Sequence, residues 1–290
     1  MAYWSKSKTK STITTYKDCM GKLKEYRPVL HFSDINFRFV DGFDRYLKGI
    51  ELKDTTICKH HSRLKCILKS GMSKGYTLPE GNPYENFKVK RGIPEPREYL
   101  TLKEIERIEN LSFGPEAFYL ERETDKFLFS CYTGLRDENN RDLNFDMFER
   151  GDDGYILKTR SNKTTKNILI PLSHLFPNEN GLSKPELILE KYEKLNKDLF
   201  GNSYRNYPIF GKVTNQQSNR HLKTIAKMAI INKTVTTHVG RTTFACTMAN
   251  KNLPTHVLQE LLQHSSIKTT MYYVQLTNQS IKQNLGQLDW

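Results

Sequence analysis

The chain has 290 residues, 37% of them apolar and 11% aromatic, enough to fill a real core, and no low-complexity segment argues for disorder. No apolar run is long enough to span a bilayer, and the opening "MAYWSKSKTK" lacks the hydrophobic stretch of a signal peptide. Five cysteines, an odd number with no Cys-x-x-Cys pair, fit reduced cytosolic thiols better than a disulfide framework or a zinc site.

The net charge of +13 is unevenly spread. Residues 1–100 hold 20 Lys+Arg against 11 Asp+Glu, and residues 201–250 hold seven basic residues and no acidic one. Such faces suit a polyanion, because each neutralised phosphate releases counterions. Charge alone serves equally for solubility, and it does not choose DNA over RNA or a membrane surface.

Residues 12–75 read as helices. In "SDINFRFVDGFDRYLKG" (33–49), Ile35, Phe39, Phe43 and Leu47 recur at four-residue steps and Gly49 supplies a stop. In "TTICKHHSRLKCILKSGMSKG" (55–75), Ile57, Leu64, Ile67 and Leu68 form an apolar side. His60, His61, Arg63, Lys65 and Lys69 form a basic one, suited to lying against a phosphate backbone. Residues 76–101 are rich in Pro and Gly, and 91–100 are assigned as a linker between domains at 1–90 and 101–290.

A helix starts at Thr101, whose capping box with Glu104 precedes Ile105, Ile108 and Leu111. After "FLFSCYTGLR" (127–136), "YILKTRSNKTTKNILIPL" (155–172) reads as two β-rich runs around a Lys-rich turn, a hairpin. From Ser218 to about Leu276 the pattern returns to successive helices. Within it "PTHVLQELLQ" (254–263) reads as core packing that positions His264, and the tail 278–290 as a final helix.

Three separated stretches carry the unusual content: "TGLR" (133–136), the Lys-rich turn, and "HVGR" (238–241) followed by "QHSSIKTTMYYV" (263–274). In a helix His238 and Arg241 share one face. Taken singly, each residue has an ordinary structural reading: Arg136 as a helix-end residue, the turn lysines as solvated, His238 as a helix-start hydrogen bonder, Tyr272 and Tyr273 as a packed aromatic pair. His31, His60, His61, His174, His221 and His256 are left at that reading. Together the set is two Arg, one Lys, two His and a Tyr, cations and donors around one nucleophile.

That inventory suits phosphoryl transfer. A tyrosine oxygen attacks a phosphodiester only if the added negative charge of the transition state is offset, and two guanidiniums can do so without a metal ion. Tyrosine starts with a pKa of about 10; a neighbouring His can accept its proton, and the surrounding positive charge lowers the cost of the phenolate. The leaving sugar oxygen needs a proton in turn, which a lysine on a hairpin can donate.

In order and spacing, "TGLR", the turn lysine, "HVGR" and "QHSSIKTTMYY" resemble the Arg–Lys–His-x-x-Arg–His–Tyr set of the tyrosine recombinases, the phage integrase family. "NRHLKTIAKMA" (219–229) and the segment 238–273 are especially similar to integrases of mobile genetic elements. The resemblance implies that Arg136 and Arg241 clamp the scissile phosphate, that Lys163 (eight residues before Pro171) is the general acid, and that His238 is the general acid/base. His264 becomes a hydrogen-bond donor to a phosphate oxygen. Tyr273, nine residues after His264, becomes the nucleophile, with Tyr272 a packing neighbour, since consecutive helical residues point about 100° apart. Three positions depart from the family pattern: Asn139 where an acidic residue is usual, Gln263 where a glycine is usual, and Gly240 ahead of the second arginine.

The resemblance further implies a mainly α, two-domain, C-shaped clamp on double-stranded DNA. A helical, SAM-like core-binding domain would precede an α+β catalytic domain with a small antiparallel hairpin sheet. The implied reaction is site-specific strand exchange through a 3′-phosphotyrosyl bond, with no cofactor, no metal and no membrane partner. It would run in a bacterial cytoplasm at the nucleoid, as a homotetramer linked by exchange of C-terminal helices and assisted by DNA-bending proteins. Topoisomerase IB-like relaxation and a catalytically weak DNA-binding relative are the alternatives. Many such integrases carry an extra N-terminal arm-binding domain, which is either absent from this protein or outside this sequence.

Overall fold

The computed structural model describes residues 9–78, 80–93, 95–160 and 167–276, without the side chains of 159, 160, 167 and 168. It divides into two compact units, Met1–Glu95 and Pro96–Trp290. No helix among the described residues is long and apolar enough to cross a membrane.

The first unit is built on three helices, α1 (Lys10–Tyr26), α2 (Phe37–Gly49) and α3 (Asp54–Met72). Leu23, Phe39, Val40, Phe43, Leu47, Ile57, Leu64 and Leu68 bury one shared core. Ile35 belongs to that core but not to α2. The Asn36 side chain accepts the backbone N–H of Phe39 and starts the helix after it, so the four-residue pattern began one step too early. His61 lies in the core, not on the basic face expected for it. Its Nε2 is 3.1 Å from Asp44 Oδ1 and its Nδ1 2.8 Å from the Tyr84 hydroxyl. Burial lowers its pKa despite Asp44. Two polar partners make the buried imidazole tolerable, which a hydropathy pattern does not register.

The second unit runs α4 (Leu102–Glu109), α5 (Phe118–Thr133) and α6 (Asp137–Asp142), then β1 (Phe148–Gly151), β2 (Gly154–Arg160) and β3 (Asn167–Pro171). The chain continues through α7 (Lys184–Phe200), α8 (Asn215–Met228), α9 (Thr237–Asn250), α10 (Thr255–Leu261) and α11 (Ile267–Leu276). The Thr101–Glu104 capping box is present, and a second, Thr214 with Gln217, starts α8. The three strands form one antiparallel sheet in the order β1-β2-β3, with Leu157 opposite both Phe148 and Ile170. The hairpin of β2 and β3 is the one read from the sequence, and β1 is an addition. Its turn, with Lys163, lies outside the described residues, as does the tail 277–290.

Helix α9 is the spine of this unit, with Val239 to Ala249 all buried. It runs close against α5. A Cβ on Gly240 would come 3.0 Å from Ser130 Cβ and 3.3 Å from Phe127 Cε2, which accounts for a glycine inside a helix. At the end of α5, Gly134 takes φ +70° and closes the helix in the left-handed conformation. A Cβ there would sit 2.5 Å from Phe244 Cδ1. Gly134→Ala therefore adds left-handed strain of about 1 kcal/mol to an overpacking cost of about 1–3 kcal/mol. A loss of about 2–4 kcal/mol in a urea melt is the expected outcome.

Candidate active site

Two backbone turns converge on one guanidinium. Arg241 projects from α9 and is only 2% exposed. Its Nη1 donates to the carbonyl of Gly134, 2.7 Å away, and its Nη2 donates to the carbonyl of Leu262 and to His264 Nε2, at 3.2 Å for the latter. The glycine turn after α5 and the turn after α10 are thus pinned to α9 by one side chain. The fork of donors explains why arginine fits here and lysine does not.

An arginine cannot accept, so His264 Nε2 must be unprotonated and its proton sits on Nδ1, 2.9 Å from Thr270 Oγ1. Burial, then the charges of Arg241, Arg136, Arg97 and His238, push the His264 pKa down to about 3. The ring is neutral at physiological pH. In this tautomer it orients Arg241, and Nε2 can donate to a phosphate only after Arg241 releases it and the ring proton moves to that nitrogen.

Arg136 is the residue before α6, two positions beyond the left-handed Gly134, and the Ser130 hydroxyl donates to the Leu135 carbonyl at 2.9 Å to fix the approach. Its Nη1 reaches Gln263 Oε1 at 3.4 Å. Burial lowers the Arg136 pKa, opposed by Tyr273 and Glu138. Glu138, next to the position expected to be acidic, is thus the carboxylate that acts on Arg136, while Asn139 itself is buried. Asp137 is taken by Arg141 and by Asn215.

Gln263 adopts φ +49°, the left-handed region in which a glycine would be unstrained. Its side chain offsets that strain with the Arg136 contact and a bond from Nε2 to the Leu261 carbonyl, 3.2 Å long. Gln263→Gly gains the backbone relief and loses both bonds, whereas Gln263→Ala keeps the strain and loses them too. The glycine variant is expected to be the more stable of the two by about 1 kcal/mol in paired denaturation curves.

Burial and the charge of Arg136 push the Arg241 pKa down to about 9, with Arg97 adding to this and Tyr273 opposing it through its charge and a hydrogen bond. Arg241 remains a cation at neutral pH. No salt bridge to it occurs among the described residues. His238, in the first turn of α9, is exposed, and its charge is felt at His264.

Tyr273 lies in α11, 1% exposed, with its ring parallel to that of His264 (10° between planes, centroids 5.9 Å apart). The Tyr272 ring stands edge-on to it, 76° from the plane of Tyr273. Sequence reading missed Arg97. Its Nη1 donates to the Tyr273 hydroxyl at 2.9 Å, its backbone N–H donates to the Tyr272 hydroxyl at 3.1 Å, and its guanidinium lies 5.2 Å from the Tyr272 ring centroid. Of the six expected residues the structure gathers Arg136, His238, Arg241, His264 and Tyr273. Lys163 lies outside the described residues. Arg97, Arg136, Arg241 and His264, from four distant stretches, thus lie around the Tyr273 phenol, an arrangement whose donors and cations can hold an anion beside that oxygen.

The phage integrase family profile matches residues 98–280, and the phage integrase SAM-like domain matches residues 2–89. A tyrosine recombinase of Pseudothermotoga lettingae is 24% identical over 282 residues, covering 92% of this chain and 88% of the relative. Among solved structures, a lambda integrase dimer bound to a COC′ core site is similar at a TM-score of 0.70 and 17% identity, over 94% of this chain and 91% of that one. The Tn1549 transposon integrase in complex with transposon right end DNA is similar at 0.66 and 17%, over 97% and 95%. The chain belongs to the phage integrase family, the tyrosine recombinases, and is by that membership a site-specific DNA recombinase.

Proposed function

We propose that Tyr273 is the nucleophile of a metal-independent strand exchange on duplex DNA that integrates or excises a mobile element. The observation that carries this reading is the meeting of Arg136, Arg241 and Arg97 around the Tyr273 hydroxyl. The phenol oxygen forms a bond to phosphorus as the bond to the 5′ oxygen breaks. His238 takes the phenol proton, and Lys163 gives a proton to the departing 5′ oxygen. A 3′-phosphotyrosyl bond and a free 5′-hydroxyl result, and the 5′-hydroxyl of a partner strand reverses the step. Bond energy is kept in the covalent intermediate, and catalysis rests on positioning and charge stabilisation.

Arg136 and Arg241 clamp the phosphate from two sides. Arg241, buried and with no carboxylate at ion-pair distance among the described residues, suits an incoming anion, which would supply the counter-charge. His264 holds Arg241 in that orientation. The active assembly is a homotetramer on two DNA sites, joined by C-terminal helix exchange and aided by DNA-bending proteins. The test is a duplex bearing the end of the mobile element that carries the chain's gene, nicked beside the scissile phosphate so that the cleaved fragment diffuses away. A covalent protein–DNA band on a denaturing gel supports the reading. Its absence with bound DNA leaves only binding, and relaxation of any supercoiled plasmid would point to one-strand nicking instead.

A further inference from the structure

We infer that Arg97 is a further catalytic residue, the group that holds and stabilises the attacking oxygen, an inference that rests on the nucleophile reading of Tyr273. Three contacts place it there: Nη1 on the Tyr273 hydroxyl, the backbone N–H on the Tyr272 hydroxyl, and the guanidinium beside both rings, 5.2 and 5.8 Å from their centroids. The backbone bond anchors Arg97 on α11 independently of its side chain, so the guanidinium is aimed by main-chain geometry. Arg97 is exposed while the hydroxyl it covers belongs to a buried residue. The guanidinium thus stands between the phenol and the solvent from which a phosphate arrives.

Because Arg97 donates to the phenol oxygen, the bond strengthens as that oxygen becomes negative. During attack the phenol proton passes to His238, the oxygen–phosphorus bond forms, and the bond to the 5′ oxygen breaks. During rejoining the same oxygen leaves as phenolate, and Arg97 stabilises it again. The remaining donors of the guanidinium face a non-bridging phosphate oxygen, giving the site a third arginine besides Arg136 and Arg241.

The experiment measures the single-turnover rate of covalent adduct formation on the nicked duplex at saturating protein, so that DNA affinity drops out. Arg97→Ala is expected to slow the step about 100-fold, the usual loss for one preorganised donor, and Arg97→Lys to recover part of it. The decisive arm replaces Tyr273 with a trifluorinated tyrosine, whose more acidic phenol needs less help as an anion. The Arg97→Ala penalty should shrink in that background, whereas a merely structural role would leave it unchanged. An unchanged penalty, an unaffected rate, or a faster rate (the mark of an inhibitory latch) overturns the inference alone, provided Tyr273→Phe forms no adduct. Adduct in Tyr273→Phe overturns the nucleophile assignment and this one with it.

Discussion

Tyr273→Phe is expected to form no covalent adduct with the nicked duplex, while Tyr272→Phe stays within about tenfold of the native rate. The two substitutions remove the same atom from neighbouring rings, so the contrast isolates position. A phenylalanine ring in place of Tyr273 keeps the parallel packing on His264 and the edge contact with Tyr272, so the fold should survive. What disappears is the oxygen that accepts from Arg97 and faces Arg241. Tyr272→Phe removes only the acceptor for the Arg97 backbone N–H, a bond of about 0.5–1.5 kcal/mol. Gel-shift affinities should match across all three proteins, because each substitution removes one hydroxyl and no positive charge. Adduct that persists in Tyr273→Phe and vanishes in Tyr272→Phe would move the nucleophile by one residue and turn the geometry of α11 inside out.

The positions of Arg136, Arg241, His264 and Tyr273 were legible because each lies in a short local motif, and the order of those motifs carried more than any one of them. Arg97 was not legible. It sits in a Pro-rich stretch without periodicity, and its partner lies 176 residues away. Gln263 and Gly240 looked like departures from a pattern. In the fold the first is a left-handed backbone position and the second a close helix approach. The helices of the first unit followed from their apolar spacing, but His61 went to the wrong side of α3. Periodicity assigns polar residues outward, and only tertiary partners such as Asp44 and Tyr84 bring one in. Strand β1 escaped because three of its four residues are exposed and show no alternation.

Arg241→Met is expected to cost more in chemistry than in stability, and its stability cost should depend on pH. Methionine keeps the apolar stem and removes the guanidinium that ties Gly134, Leu262 and His264 together. With the phosphate clamp halved, adduct formation should fall by about 1,000-fold or more. The two carbonyls left without their donor cost about 1–3 kcal/mol each, offset by no longer burying a cation beside Arg136 and Arg97, for a net loss of about 1–3 kcal/mol at pH 7. Acid then narrows the gap. In the native protein His264 has its pKa depressed to about 3, against about 6.5 in the unfolded chain, so the unfolded state binds the extra proton first. Native stability is full above about pH 6.5 and declines towards pH 3, by about 2 kcal/mol at pH 5 through this one group. Without Arg241, the largest charge pressing on His264 is gone, its pKa rises part of the way while burial and the remaining cations still hold it down, and the variant loses less over the same range. Urea melts of both proteins at pH 7 and pH 5 read the difference directly. A gap that stays constant or widens on acidification would mean that Arg241 does not hold His264 neutral, and would remove the basis for treating the pair as one unit of the phosphate clamp.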